Sequence, residues 1–228
     1  MRLLPHGING IVPSMNTLSI LTKNSYRRST WKNGLGFTDE IAIHPPGSDL
    51  RRGDYLWRLS SARIEQASAF SIFPNHDRIL SVLEGAGIRL YHRFDEETPE
   101  ELTELNSGVS YEFPGDIQSR CELMAGPVQD LSVFFRKGEV ESAMEVIELP
   151  ENEVHEISIQ SRWTFVFVAG APVTALPFDD AQEHPEQSVQ PGETLFLSLS
   201  DEGNQPPSNL KIRAHSSGAR ISIITLNA

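Results

Sequence analysis

Short runs in which apolar and polar residues alternate recur along the whole chain, separated by turn-forming residues. Alternation with a period of two predicts half-buried β-strands, because successive side chains of a strand point to opposite faces. Helical spacing is confined to a polar run at 94–106 and, more weakly, to 137–147. We therefore expect an all-β protein with few short helices. Strands are predicted at 17–22, 37–43, 55–64, 69–73, 78–83, 87–92, 120–124, 130–136, 154–160, 163–169, 194–199, 210–214 and 220–226.

A weak internal repeat divides these strands into two sets. RILSVLEGAG at 78–87 resembles RWTFVFVAGA at 162–171, and FPGDIQ at 113–118 resembles QPGETL at 190–195. In each copy an apolar strand enters a glycine turn, and a later Pro-Gly turn precedes another strand. This order is typical of cupin jelly rolls, in which two antiparallel sheets enclose a small cavity. The repeat predicts a bicupin with two jelly-roll (double-stranded β-helix) halves, the alternative being another β-sandwich with similar turns.

The repeat also predicts the domain organisation. We expect an N-terminal half at 15–140 and a degenerate C-terminal half at 141–228. The glycines of the two turns are 30 residues apart in the first copy and 22 in the second, so the pocket is expected in the first half. Residues 1–14 are interrupted by proline and glycine and are expected to be a disordered extension.

Composition and charge exclude several classes of partner. The chain has 228 residues, 31 of them acidic and 19 basic, for a net charge of −12. Nucleic acid and anionic membrane surfaces would be repelled on average, and no run of about 18 apolar residues predicts a membrane span. Cys121 is the single cysteine, so we expect no disulfide and a reducing, cytoplasmic location. Exposed strand edges would allow a homodimer.

The first candidate site segment is WKNGLGFTDEI at 31–41. Its Asn-Gly pair predicts a tight turn, and Trp31 precedes that turn. In the following strand Thr38 and Glu40 share one face, whereas Asp39, Ile41 and Ile43 are predicted on the other. The alternative interpretation is an ordinary hairpin with a packed tryptophan.

The second candidate segment is WRLSSARI at 57–64, in which Arg58 and Ser60 share a strand face. If that face is inward, Arg58 must be paired, because an isolated buried charge is too costly. Glu40 and Asp77 are its candidate partners. A guanidinium anchored in this way still has N–H donors for a ligand carboxylate. A solvated edge residue is the alternative.

The third candidate segment contains Asp77 and Arg78, which follow Pro74 at the start of a strand. Neighbouring side chains of a regular strand point to opposite faces, so both can line one cavity only where the backbone near the turn is irregular. The alternative is a surface salt bridge.

Histidine spacing argues against a metal. Cupin metal sites generally use two histidines one residue apart, a nearby carboxylate and a third histidine after the Pro-Gly turn. No His-x-His is present, and no histidine follows Pro114-Gly115 within residues 116–119. We expect no metal and no other cofactor. The alternative is a metal ion held by His76, Asp77 and a third ligand from a distant part of the chain.

Five segments together resemble the HutD/Ves family of bacterial proteins. They are WKNGLGFTDEI, WRLSSARI, FSIFPNHDRILSVLEGAG, FPGD and GPVQDLSVFFR, in order across about residues 15–136. The resemblance implies a bicupin without the usual metal ligands and a role in histidine utilisation or, in the Ves branch, in the stress response. The positions that carry over are Trp31, Asn33, Gly34, Gly36, Thr38, Glu40, Trp57, Arg58, Ser60, Phe70, Ser71, Phe73, Pro74, Asp77 and Arg78.

The chain departs from the family pattern at three positions. Asn75 stands where glycine is usual, and Ser132 and Phe134 stand where asparagine and methionine are usual. The last two lie on a strand predicted to face inward, so we expect the ligand to differ from that of histidine-operon members.

These observations lead to one hypothesis and two alternatives. The leading hypothesis is metal-independent, regulatory binding of a small anionic metabolite, a histidine-pathway intermediate such as urocanate or formylglutamate. The alternatives are an enzyme with Glu40 or Asp77 as general base and a structural partner protein with a vestigial pocket. The expected ligand-binding residues are Trp31, Asn33, Gly34, Thr38, Glu40, Arg58, Ser60, Asp77 and Arg78.

Overall fold

A computed structural model describes residues 18–31, 36–179, 184–199 and 207–228, which form four antiparallel sheets. Within these ranges there is one 3-10 turn, Lys23–Ser25, and no α-helix, and so no helix that could reach across a bilayer. The strands are β1 Leu18–Leu21, β2 Arg27–Thr30, β3 Gly36–His44, β4 Trp57–Ile64, β5 Ser68–Ala69, β6 His76–Glu84, β7 Gly87–Arg93, β8 Glu101–Asn106, β9 Ser110–Pro114, β10 Gln118–Leu123, β11 Val128–Arg136, β12 Glu141–Leu149, β13 Val154–Ser158, β14 Trp163–Gly170, β15 Val173–Phe178, β16 Gln187–Val189, β17 Thr194–Ser198, β18 Asn209–Ala214 and β19 Ala219–Asn227. The predictions for residues 1–14, Asn33 and Gly34 lie outside the described residues.

The same pairing pattern occurs twice, which confirms the all-β bicupin prediction. One half has a six-stranded sheet in the order β2-β3-β4-β11-β6-β9 and a four-stranded sheet in the order β5-β10-β7-β8. The other has the sheets β1-β17-β14-β19-β12 and β13-β18-β15-β16. In both halves a long strand, β11 or β19, is paired on both sides, and the first pair of repeated segments forms corresponding strands, β6 and β14. The predicted match of the two Pro-Gly segments is wrong, because Pro114-Gly115 lies at the end of β9, whereas Pro191-Gly192 precedes β17, the strand that corresponds to β9. The counterpart of Gly192 is Gly108.

Two predicted helical segments are strands. Residues 101–106 form β8, which pairs with β7, and residues 141–149 form β12, which pairs with β19 along its whole length. Both have many polar residues because one face is exposed to solvent, and this dilutes the apolar alternation. A further difference is that β1 pairs with β17, so a strand from the start of the chain completes a sheet of the C-terminal half.

Three apolar layers explain where a polar site can lie. One layer lies between the halves, where Trp57 and Leu59 pack with Phe165 and Phe196. A second lies inside the C-terminal half, where Val166, Leu195 and Ile221 pack together. The third occupies only part of the N-terminal interior. The remaining part contains a small apolar cluster of Ile43, Tyr55 and Phe134 together with buried polar side chains.

Candidate functional site

Arg58 and Arg78 both turn into the N-terminal barrel. Arg58 shares a strand face with Ile64, and Arg78 shares one with Leu80. Ile64 and Leu80 pack in one cluster with residues of the opposite sheet, such as Leu90. Arg58 and Arg78 are only 6% and 7% exposed. A buried guanidinium requires partners, and each of these two has its own.

Glu40 is the partner of Arg58. Arg58 Nε lies 2.7 Å from Glu40 Oε2, and Arg58 Nη1 donates to Ser60 Oγ at 3.2 Å. The second carboxylate oxygen of Glu40 lies 3.0 Å from Nη2 of Arg27, which is half exposed. Both oxygens of Glu40 are therefore ion-paired, one to an interior arginine and one to an arginine at the surface.

A β-bulge in β3 sets this geometry. Glu40 lies opposite Ser60, but Ala42, two residues later, lies opposite Leu59, so Ile41 is the extra residue. The prediction that Ile43 faces away from Glu40 is therefore wrong. After the bulge, Ile43 lies opposite Arg58 and packs with Phe134.

Asp130 and Ser132 on β11 are the partners of Arg78. Arg78 Nη2 donates to Ser132 Oγ at 2.8 Å and to Asp130 Oδ2 at 3.3 Å, and Arg78 Nε donates to Ser132 Oγ at 3.2 Å. The other oxygen of Asp130 accepts the backbone N–H of Ala62 at 2.9 Å. Sequence reasoning placed Ser132 on an inward strand but did not assign Asp130 to the site, because one aspartate in a β-run carries no signal of its own.

Burial dominates the electrostatics of this pair. Removal from water raises the pKa of Asp130 to about 6, against the opposing effect of Arg78. The same removal lowers the pKa of Arg78 to about 10, although Asp130 opposes the change. At neutral pH both groups remain charged, and a small increase in acidity neutralises Asp130 first.

Aromatic rings surround the two guanidinium groups. The Arg78 guanidinium carbon lies 4.3 Å from the ring centre of Phe70 and 4.9 Å from that of Phe134. Phe134 also lies 5.8 Å from the guanidinium of Arg58. These rings stabilise the cations by cation–π attraction. Within the described part of the chain, Arg58 Nη2 and Arg78 Nη1 have no hydrogen-bond partner.

His92 is an interior group that sequence reasoning missed. It shares a hydrogen bond with Ser119 at 2.9 Å, and its Nε2 is buried with no hydrogen-bond partner among the residues that the structure describes. Its ring lies 4.6 Å from that of Phe113, which is 5.6 Å from the Arg78 guanidinium. Burial first, and Arg78 second, lower its pKa, so this imidazole is neutral at pH 7. A single histidine without ligand spacing gave no signal.

Two other predicted site residues, Trp31 and Thr38, are hydrogen-bonded to each other. Trp31 packs against the N-terminal interior cluster and donates from Nε1 to Thr38 Oγ1 at 2.9 Å. A side chain at Gly36 would collide with the Trp31 ring and the Arg63 carbonyl, which explains that glycine.

Asp77 is not brought into this interior. It lies on the face of β6 opposite Arg78, and Lys137 is 3.5 Å from its carboxylate. The expectation that Asp77 lines the interior together with Arg78 is not met, because β6 is regular at this point and neighbouring side chains diverge.

The interior donor set does not fit a metal ion. Among the described residues, no three His, Cys, Asp or Glu side chains come together as a cation would require. Both interior carboxylates are paired to arginines, and guanidinium groups donate hydrogen bonds but ligate no metal. The arrangement is suited to an anion.

The fold and its arginine-lined interior define a class: a bicupin whose first half carries a buried polar site. The HutD family model matches residues 23–215, and the chain belongs to the HutD family.

Curated relatives match about half of the chain. A Pseudomonas putida protein described as an "Uncharacterized 21.2 kDa protein in hutC 3'region" is 36% identical over 121 residues, 53% of this chain and 60% of that protein. The protein Ves of Citrobacter koseri is 30% identical over 120 residues, 52% of this chain and 58% of Ves. The matched region thus spans less than two thirds of these relatives.

Solved structures match over nearly the whole chain. A conserved protein of unknown function from Pseudomonas aeruginosa PAO1 has a TM-score of 0.73 and 25% identity, covering 93% of this chain and 100% of that one. HutD from Pseudomonas fluorescens SBW25 has a TM-score of 0.69 and 23% identity, covering 92% and 98%. Lactobacillus farciminis oxalate decarboxylase, solved as a formate complex, has a TM-score of 0.63 and 9% identity, covering 96% and 88%. The last two show the fold alone.

Proposed function

We propose that this protein binds a small carboxylate metabolite inside its N-terminal half without a metal, and that it acts as a regulator or buffer of that metabolite. The observation that carries the proposal is the pair of buried arginines, each anchored by a carboxylate. Anchoring fixes each guanidinium and leaves one of its terminal nitrogens without a partner among the described residues. Preorganised donors of this kind bind carboxylates in a directional manner.

Charge in the interior supports an anionic ligand. Arg58 and Arg78 balance Glu40 and Asp130, and Arg27 adds a further positive charge at the surface end of the Glu40 carboxylate. The charge around the site is therefore positive, although the whole chain has a net charge of −12. Because Arg58 and Arg78 are buried, salt screens their charges only weakly.

The family supplies the candidate ligands. The name of the P. putida relative refers to the hutC 3' region, and this favours intermediates of histidine utilisation, with urocanate and formylglutamate as candidates. The P. fluorescens HutD structure is described with a formate condition, which makes formate a useful minimal probe. We also propose that the protein is cytoplasmic and that it binds neither nucleic acid nor membranes.

Calorimetric titration of urocanate, formylglutamate and formate tests the proposal. Glu40→Gln/Arg58→Met removes an ion pair as a unit, so that neither charge is left buried alone. The matched control is Arg89→Met, an exposed arginine on the outer face of the same half. Saturable binding by the wild type and the control, and not by the double variant, is the expected result. Equal weak heats for all three proteins would end the proposal.

The enzyme alternative is favoured less by the geometry. Both oxygens of Glu40 are engaged with arginines, and Asp77 is outside the interior. Burial raises the pKa of Asp130 to about 6, which makes this carboxyl the remaining interior candidate for a general base. Incubation with a metabolite mixture and mass spectrometry decides the question, because turnover beyond the protein concentration would require catalysis.

A further inference from the structure

A cavity lies at the junction of the two halves, outside the arginine-lined interior. Its volume is about 200 Å³. The N-terminal half contributes strands β3, β4, β6 and β11 to its wall, and the C-terminal half contributes β14 and the turn at Gly192. The 3-10 turn that carries the chain from β1 of one half to β2 of the other closes one side.

The charges on the cavity wall are balanced but only partly paired. Arg28 and Asp39 form a two-pronged ion pair, with both contacts at 2.7 Å. The wall also carries Lys23 and Glu84, and neither side chain has an ion-pair or hydrogen-bond partner among the described residues. Both residues are exposed to solvent, so one positive and one negative charge are available to a ligand at the open side of the cavity.

The rest of the wall separates these charges with apolar surface and one polar group. Phe37, Leu83 and Phe167 supply the apolar part. Gln129 donates its amide N–H to Ser61 Oγ at 2.9 Å, and this orientation leaves its carbonyl oxygen as an acceptor. The stem of Lys23 lies where a side chain on Gly192 would be, so the glycine gives Lys23 its place beside the cavity.

We propose that this cavity is a second ligand site, for a small zwitterion of the α-amino acid type with an apolar side chain. The ligand carboxylate pairs with Lys23, and its ammonium group donates to Glu84 and the Gln129 carbonyl. The side chain contacts Phe37, Leu83 and Phe167. A ligand with one charge forms only one of these two ion pairs and leaves the other wall charge to water, so a zwitterion is expected to bind more tightly than either single-charge analogue.

The experiment compares L-leucine with its two single-charge analogues, 4-methylpentanoate and 3-methylbutylamine, by calorimetric titration. Saturable binding of leucine is expected, with each analogue at least about tenfold weaker. Lys23→Met and Glu84→Gln are each expected to weaken leucine binding by about tenfold or more. Lys137→Met, at an exposed ammonium group paired with Asp116, is the matched control and retains wild-type affinity.

Three results would overturn this site. These are no saturation by leucine up to about 10 mM, an analogue that binds as tightly as leucine, and unchanged leucine binding in both cavity variants. The Glu40→Gln/Arg58→Met variant separates this proposal from the preceding one, because it is expected to lose carboxylate binding in the barrel and to keep leucine binding. If Glu40→Gln/Arg58→Met lost leucine binding while Lys23→Met and Glu84→Gln kept it, leucine would be assigned to the barrel.

Discussion

Arg58 reaches Glu40 diagonally: Arg58 Nε lies 2.7 Å from Glu40 Oε2, although the residue directly opposite Arg58 on β3 is Ile43. The bulge at Ile41 shifts the register between these positions. In a regular strand, Glu40 and Ile43 would face opposite sides. The bulge thus places a carboxylate and an apolar side chain next to the same guanidinium.

This relationship predicts the outcome of a double-mutant cycle. Glu40→Gln alone leaves Arg58 buried without its main counter-charge, and we expect the free energy of unfolding to fall by about 3 kcal/mol. Glu40→Gln/Arg58→Met is expected to lose clearly less than the sum of the single losses, because neither charge remains alone. Urea unfolding of the four proteins measures the coupling. Additive losses would show that the pair does not act as a unit.

A second prediction concerns the pH dependence of stability. The folded pKa of Asp130, about 6, lies above its ordinary value of 3.8. The folded protein therefore binds this proton more tightly than the unfolded chain. The resulting stabilisation is complete below about pH 4 and is lost as the pH rises through 6. Relative to Asp130→Asn, the wild type is expected to gain about 2 kcal/mol as the pH falls from 7 to 4.

The difference between the two unfolding curves isolates Asp130, since the other carboxylates titrate in both proteins. Parallel pH profiles would contradict the prediction. The side-chain carboxyl carbon of Asp130 reports the same pKa by NMR in the wild type, so the test does not depend on the variant folding.

Much of the fold could be predicted because it rests on local patterns. Twelve of the thirteen predicted runs coincide largely with a strand, whereas the run at 69–73 shares only Ala69 with β5. The repeated glycine turns at Gly85 and Gly170 both have positive φ. The missed strands, such as β2 and β8, are polar at the surface, and their pairing rather than their composition makes them strands.

The candidate site could be predicted only in part. Arg58, Glu40 and Ser60 were found because alternation places them on one face and because a buried arginine requires a carboxylate. Asp130 and His92 come from distant strands, and only the closure of the barrel brings them to the same interior. The bulge at Ile41 could not be predicted either, because no glycine marks it in the sequence.

A third prediction concerns Asn75, which stands where the HutD/Ves pattern usually has glycine. Its φ is 60°, a left-handed conformation that asparagine tolerates and most other L-residues do not. Asn75→Gly is expected to fold with near wild-type stability, whereas Asn75→Ala should lose about 1 kcal/mol. Chemical unfolding of this matched pair measures the difference. Equal stabilities would show that the turn adjusts its backbone without cost.

The fourth prediction concerns Phe134, whose ring contacts both interior cations and packs against Phe73 at a ring separation of 4.4 Å. Ser132→Asn/Phe134→Met introduces the residues usual in the family. The asparagine side-chain oxygen can still accept from Arg78, but the flexible methionine replaces a fixed ring and leaves more room. We therefore expect the ratio of formylglutamate to formate affinity to rise by about tenfold. Calorimetry on both proteins measures this ratio, with Phe94→Met, a change at an exposed ring, as the control. A ratio that does not change, or one that also rises in the control, would show that Phe134 does not set ligand size.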